Sequence, residues 1–196
     1  GGLSGAGGGF TRNPSSGEPL PWVDFLFNAQ GEDVVSGRRS AQGHDELAAV
    51  APHVWEELLQ ATAQLEMAFG DMQDFEFTVQ DGRLYLLQTR NGKRTPQAAA
   101  RIALDFFEQG AIAAELARER TRGLDAQALA LRVVAAAQDG QPLTPMAHAA
   151  SAASGVVCGE VALDEARVRE RKAVGASVVL VRRDAETRDI AALNLA

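Results

Sequence analysis

Apolar and polar residues alternate from Asp71 to Arg94 (DMQDFEFTVQDGRLYLLQTRNGKR), broken at Asp81-Gly82, and this pattern predicts a β-hairpin. Two registers are open to it. A two-residue loop, Asp81-Gly82, would pair Phe77 with Leu86 and Phe75 with Gln88, placing the acidic side chains opposite the face of Gln88 and Arg90. A three-residue loop, Asp81-Gly82-Arg83, with a left-handed glycine and a bulge, shifts the pairing by one residue. Glu76 then faces Gln88, Asp74 faces Arg90, and Phe75, Phe77, Val79, Tyr85 and Leu87 form the buried face. Only this second register separates polar from apolar, so it is the one expected.

The remaining elements follow from the same periodicities and their breakers. Residues 1–9 (GGLSGAGGG) are too rich in glycine to order by themselves. Phe10 to Asn13 and Trp22 to Ala29 read as strands joined by the turn Asn13-Pro14-Ser15-Ser16-Gly17. Leu47, Val50, Val54, Leu58, Ala61 and Leu65 recur at helical spacing between about Asp45 and Phe69, with Pro52 as a break or a first-turn residue. Thr95-Pro96 opens a further helix that Gly110 closes. Alanine-rich helices over about 111–121 and 124–138 precede a linker, GQPLTP (Gly140 to Pro145). GVVCGEVAL (Gly155 to Leu163) and ASVVLVRR (Ala176 to Arg183) then read as strands around a charged helix.

Composition narrows the class. The 196 residues carry a formal net charge of −7, 46% are hydrophobic, and the pI is near 5.0. No basic patch of the kind a general nucleic-acid binder needs stands out, and the runs Arg118 to Gly123 and Val168 to Lys172 fall on helices with acidic neighbours. The single cysteine, Cys158, excludes an internal disulfide framework and fits a reducing compartment. No signal peptide or membrane-spanning run is found, so a cytoplasmic location is expected.

The chemistry lies on the hairpin. Carboxylates two apart on a strand project from one face. Asp74 and Glu76 so placed suit Mg²⁺, which takes one or two carboxylates together with phosphate oxygens. Arg90 beside them can clamp a phosphate. An ordinary amphipathic hairpin with a solvated polar face would show the same pattern, and the pattern leaves both readings open. Arg12 could reach a phosphate or anchor its turn by pairing with Glu18. Glu32 and Asp33 could be metal-side acids or caps, and Lys93 and Arg94 could add positive potential or form a basic rim. The three histidines, His44, His53 and His148, read as surface or packing residues.

Three stretches, FTRNPSSGE (Phe10 to Glu18), FNAQGEDVVSG (Phe27 to Gly37) and the hairpin with its exit, DMQDFEFTVQDGRLYLLQTRNGKRT, closely resemble the pyruvate phosphate dikinase family, in its order and spacing. The resemblance runs from about Phe10 to the last residue and is weakest between about Ala111 and Ala153. It implies an α+β chain: residues 1–94 as the C-terminal part of an ATP-grasp nucleotide-binding domain with a helical insertion over about 38–70, residues 95–140 as a helical linker, and residues 141–196 as the first β/α elements of a swivelling phosphohistidine domain. By position, it implies that Asp74 and Glu76 stand near metal and phosphates, that Gln88 and Arg90 contact nucleotide and phosphate, and that Glu32 lies in the same cleft; Arg12 joins them as a candidate phosphate contact. The implied cofactor is Mg²⁺ with ATP as substrate; the implied partners are pyruvate and phosphate in a parent enzyme expected to be a homo-oligomer.

Departures qualify these expectations. Asp24 stands where relatives tend to have a glutamate, and glycines replace apolar residues before Phe10. The family's phosphate-carrying histidine belongs to a Thr-Ser-His-Ala-type segment, and none of the three histidines lies in that context. The expected activity is therefore that of part of a dikinase-like phosphotransferase, converting ATP, pyruvate and phosphate to AMP, phosphoenolpyruvate and diphosphate, with this chain inactive alone. A phosphoenolpyruvate synthase-like enzyme and a truncated, non-catalytic nucleotide-binding relative are the alternatives.

Overall fold

A computed structural model describes residues 3–27, 42–131, 140, 143, 144, 146, 156–182 and 187–196. Five strands, β1 (Gly5–Phe10), β2 (Trp22–Phe27), β3 (Gln42–Gly43), β4 (Gln73–Gln80) and β5 (Arg83–Asn91), form one sheet in the order β3-β2-β1-β4-β5. β1 pairs with β2 and β4, β2 with β3 and β4 with β5, all antiparallel. Helices α1 (His44–Val50) and α2 (Pro52–Phe69) cover one face, and α3 (Pro96–Glu108), α4 (Ala114–Thr121) and the short α5 (Ala126–Leu129) follow the hairpin. Later in the chain, β6 (Glu160–Ala162) and β7 (Val178–Leu180) pair in parallel, with α6 (Glu165–Ala173) between them and α7 (Ile190–Leu195) after a short 3₁₀ turn.

Most of the glycine-rich start, from Gly5, belongs to the central strand of the sheet, ordered by its neighbours and not by itself. The cause is its neighbours. Phe25 on β2 and Phe77 on β4 both pair with Gly7, and their rings stack at 5.6 Å with planes 11° apart. A Cβ on Gly7 would lie 2.6 Å from Phe77 Cζ and 2.6 Å from the Asp24 carbonyl; Gly5 and Gly9 are crowded in the same way. Glycine costs a strand conformational entropy. Here the bare backbone lets two phenylalanines from flanking strands close over it, and such a ring pair adds about 0.5–1.5 kcal/mol to the burial of each ring. The strand expected over Phe10 to Asn13 therefore ends at Phe10, and the Asn13 side chain turns the chain by accepting from the Ser15 and Ser16 amides.

The Phe face carries the main core. Val23, Phe25, Phe75, Phe77 and Val79 pack against Leu47, Ala51, Val54 and Leu58 of α1 and α2. The helical stripe expected over 45–69 is present as two helices, because Pro52 occupies the first turn of α2 and ends α1 at Val50, which is exposed. A second core, Met72, Ala98, Ile102, Phe106 and Ile112, joins the hairpin base to α3 and α4. Thr95 caps α3 as expected, accepting from the Ala98 amide at 3.1 Å, and it donates to Ser15 O at 2.7 Å. Helix α4 begins at Ala114, and of the helix expected over 124–138 only α5 forms among the described residues, ending where Ala130 turns extended; positions 132–139 lie outside the described residues. Ala162, Val168, Val178 and Ala192 form a small third core in the β6–β7 unit.

The hairpin keeps the expected pairs by a different device. Its loop is the two residues Asp81 and Gly82, both left-handed (φ 49° and 79°), so Arg83 pairs with Gln80. The register shift lies between Glu76 and Phe77, where Leu87 is the extra residue. Near the turn the two-residue register therefore holds, Leu84 packs on the core, and Tyr85 and Leu87 are 45% and 57% exposed rather than buried as expected. Beyond the bulge, Glu76 pairs with Gln88 and Asp74 with Arg90.

If the ring stack imposes glycine at position 7, Gly7→Ala should cost the chain roughly 1–3 kcal/mol in a chemical denaturation series. Gly8→Ala, whose Cβ would meet nothing closer than Phe75 O at 3.4 Å, should cost well under half as much. Equal costs would remove the packing explanation.

Candidate functional site

Side chains alternate along each strand, so the residues whose neighbours bury Phe25, Phe75 and Phe77 point to the opposite face. On that face two rows cross the sheet. One runs Asp24 (β2), Gly8 (β1), Glu76 (β4), Gln88 (β5); the next runs Trp22, Phe10, Asp74, Arg90. The two rows are about 7 Å apart along the strands. Four of the six residues expected at the site, Asp74, Glu76, Gln88 and Arg90, are thus neighbours on one sheet face. Glu32 lies outside the described residues.

Within the second row, Arg90 Nε donates to Asp74 Oδ2 at 2.8 Å. The arginine side chain is 66% exposed and the aspartate 20%. The guanidinium is held above its ordinary pKa, first by that hydrogen bond and the adjacent Asp74 charge, and further by Glu76. In the first row, Asp24 sits across the bare backbone of Gly8 from Glu76. Partial burial against the sheet raises its carboxyl above the ordinary range. Asp24 was legible only as a departure from the family's glutamate; its membership in the row depends on the antiparallel pairing of β1 with both β2 and β4. Among the described residues, no group of three or more His, Cys, Asp and Glu side chains gathers as a metal site. A cation here would draw on the Asp74 and Glu76 carboxylates, the Gln88 amide oxygen and oxygens of its own ligand, a donor set of the hard type that Mg²⁺ accepts.

Arg12 takes neither of its expected roles. It is 3% exposed; Nε donates to Glu66 Oε1 and Oε2 (3.1 and 3.2 Å), Nη1 donates to Asp105 Oδ2 (2.7 Å), and the guanidinium lies 4.9 Å from the Phe106 ring centroid. Glu18 is exposed instead of paired with it. Arg12 is buried among protein carboxylates that bolt the loop after β1 to α2 and α3, so its charge is committed within the fold. Nothing in the local sequence reveals this, because Glu66 and Asp105 are 54 and 93 residues away. Arg94 is likewise committed: Nη1 and Nη2 donate to Asp71 (2.5 and 3.2 Å), while Arg120 of α4 donates to Gly70 O at 2.7 Å. Lys93 remains exposed, and His53 meets Gly82 O at 3.1 Å beside the hairpin turn.

Arg12→Ala should therefore destabilise the chain by about 3 kcal/mol or more in denaturant, because Glu66 and Asp105 lose their common partner. The raised Asp24 carboxyl gives a second expectation. A carboxyl whose pKa is higher in the folded than in the unfolded chain contributes stability when protonated and loses that contribution as pH rises through the folded value. Asp24→Asn should therefore raise the melting temperature at pH 7, and the gain should vanish toward the unfolded aspartate range near pH ~4. An unchanged melting temperature at neutral pH would contradict it.

Comparison with known proteins identifies the family. A family model described as the pyruvate phosphate dikinase AMP/ATP-binding domain matches residues 44–111, which include the whole hairpin. The chain is 40% identical to pyruvate, phosphate dikinase of Clostridium symbiosum over 197 residues, covering 98% of this chain and 22% of that protein. It is 35% identical to the chloroplastic enzyme of Mesembryanthemum crystallinum over 100% of this chain and 20% of that protein. The Rickettsia felis protein is 38% identical over 95% of this chain and 21% of its own length. The chain spans about a fifth of the length of these relatives, and the alignments run its whole length. It belongs to the pyruvate phosphate dikinase family, as a segment that overlaps the AMP/ATP-binding domain.

Proposed function

We propose that the polar face of the sheet is one wall of a MgATP site in a dikinase-like phosphotransferase. The observation that carries this reading is the juxtaposition of the Glu76–Gln88 pair with the Asp74–Arg90 pair, on the face turned away from the helices. In the reading, Asp74 and Glu76 stand at the metal and phosphates, Gln88 and Arg90 contact nucleotide and phosphate, and Glu32 lies in the same cleft. Mg²⁺ would supply neutralisation of polyphosphate charge, which phosphoryl transfer requires. The buried Phe face keeps the strands in register, so the two pairs are held in place before ligand arrives and little ordering cost falls on binding.

The larger roles belong to the same proposal. Residues 1–94 would form the C-terminal part of an ATP-grasp domain, residues 95–140 a helical spacer, and residues 141–196 the opening elements of a swivelling phosphohistidine domain. The parallel β6–α6–β7 unit with its own small core supports a separate unit after the spacer. The whole protein would pass phosphate from ATP through a histidine to pyruvate, consuming inorganic phosphate. Transfer needs several groups acting together, so this segment by itself would bind nucleotide weakly and turn over nothing. No described helix is long and apolar enough to cross a membrane.

Titration calorimetry of MgATP into the intact protein that contains this segment tests the site. Glu76→Gln and Arg90→Ala should each weaken binding about tenfold or more, the loss of one charge-assisted contact. Wild-type affinity in both variants would remove the nucleotide role from the hairpin.

A further inference from the structure

Helix α3 and the open end of the hairpin are joined by a buried polar chain that the nucleotide reading does not use. At the helix, Asp105 Oδ2 accepts from Arg12 Nη1 at 2.7 Å. Arg12 Nε donates to both oxygens of Glu66 on α2, at 3.1 and 3.2 Å. Glu66 Oε1 also accepts from Thr11 Oγ1 at 2.8 Å, and that hydroxyl accepts from the Gln73 amide of β4 at 3.0 Å. The Gln73 side chain completes the chain, its Oε1 accepting from Thr89 Oγ1 of β5 at 3.1 Å. Thr11, Arg12 and Gln73 are all buried. We propose that this chain is a conformational coupling device with Arg12 as its joint. Displacement of α3 loosens the end of β5 beyond the bulge, and loosening of that end frees α3. The coupling holds whatever ligand the polar sheet face takes.

Apolar side chains slide past one another with little loss, because dispersion is spread over many weak contacts. Buried charges cannot. Arg12 presents its donors in one rigid plane and spends them on carboxylates from two different helices. If Asp105 withdraws with α3, the guanidinium either loses an acceptor or follows it and deserts Glu66. Either step leaves a buried charge short of a partner, which makes the contact close to all-or-none.

The next link is equally stiff. A hydroxyl has one proton. Thr11 gives it to Glu66, so its oxygen meets the Gln73 amide as an acceptor, and the Thr11 amide donates to Gln73 O at 2.9 Å. Thr11 and Gln73 therefore move together. Their partner β5 is the edge strand, paired only with β4. Beyond Leu87 it has left the register that the turn sets, and Gln73 holds it there through Thr89 and, at 3.4 Å, through Asn91 Oδ1. The second core also fastens α3 to the hairpin base, through Met72, Ile102 and Phe106, but none of its members lies on β5. The polar chain is thus the link that reaches from α3 to that strand.

Arg12→Ala is itself expected to lose much of the stability, so the test is placed at the two ends of the chain. Hydrogen exchange followed by mass spectrometry, on the intact protein that contains this segment, compares wild type, Asp105→Ala, Thr89→Val and the double variant. Alanine favours the helix, so loosening in Asp105→Ala cannot come from propensity. That variant should speed exchange of residues 88–92 about fivefold or more, although four residues of the chain stand between. Thr89→Val should speed exchange of residues 102–109 by a similar factor, as reciprocity requires. The double variant should exceed the faster single variant by no more than about twofold at either end, because both substitutions open the same chain. Residues 23–26 and 54–58 of the main core should keep wild-type rates. Ile102→Val, which loosens α3 through the second core alone, should leave residues 88–92 unchanged. Effects confined to the substituted element, accelerations that multiply in the double variant, equal acceleration of the main core, or a response of residues 88–92 to Ile102→Val would each overturn the proposal.

Discussion

Phe25 and Phe77 meet across a strand that offers no side chain between them. Their rings stack at 5.6 Å over Gly7, and Phe75 and Phe27 extend the aromatic layer on either side. This contact sets which face of each strand is buried. Once Phe25 and Phe77 point inward, Asp24 and Glu76 must point outward, because adjacent residues on a strand take opposite faces. A slip of one residue would put carboxylates against Leu47 and Leu58 and rings into solvent, at a cost of several kcal/mol for the buried charge alone. The polar face is thus held in place by packing on the side it does not share.

The charges divide along the same line. Arg12, Arg94 and Arg120 are committed to Glu66, Asp105, Asp71 and the Gly70 carbonyl, where they fasten α3 and α4 to the base of the hairpin. Arg90 is exposed, and its partner Asp74 sits beside it on the open face. Arginines of one residue type therefore do two kinds of work, and burial separates them. Those with side-chain exposures below a quarter hold elements together, while Arg90, 66% exposed, lies on the open sheet face.

Much of the hairpin was legible in its alternation. The pairs Glu76–Gln88 and Asp74–Arg90 follow from period-two patterning and from the need to segregate polar from apolar side chains. The means by which they arise was not. A three-residue loop with a bulge at the turn and a two-residue loop with a bulge at Leu87 give identical pairs at the open end and differ only near the turn. Tyr85, Leu86 and Leu84 carry no pattern strong enough to choose between them. Pro52 and Thr95-Pro96 were legible because proline and threonine act within one helical turn.

What the sequence by itself determined is local: the turn at Asp81-Gly82, the caps and breaks of the helices, the alternation that puts two acids on one strand face, and motifs long enough to name a family. Tertiary structure decided the rest. It made the glycine run a central strand, because only packing between Phe25 and Phe77 rewards a backbone without side chains. It sent Arg12 to partners 54 and 93 residues away, and it brought Asp24 into the row of Glu76 through a strand that contacts both. Such choices depend on long-range pairing, and no periodicity within a strand or helix encodes them.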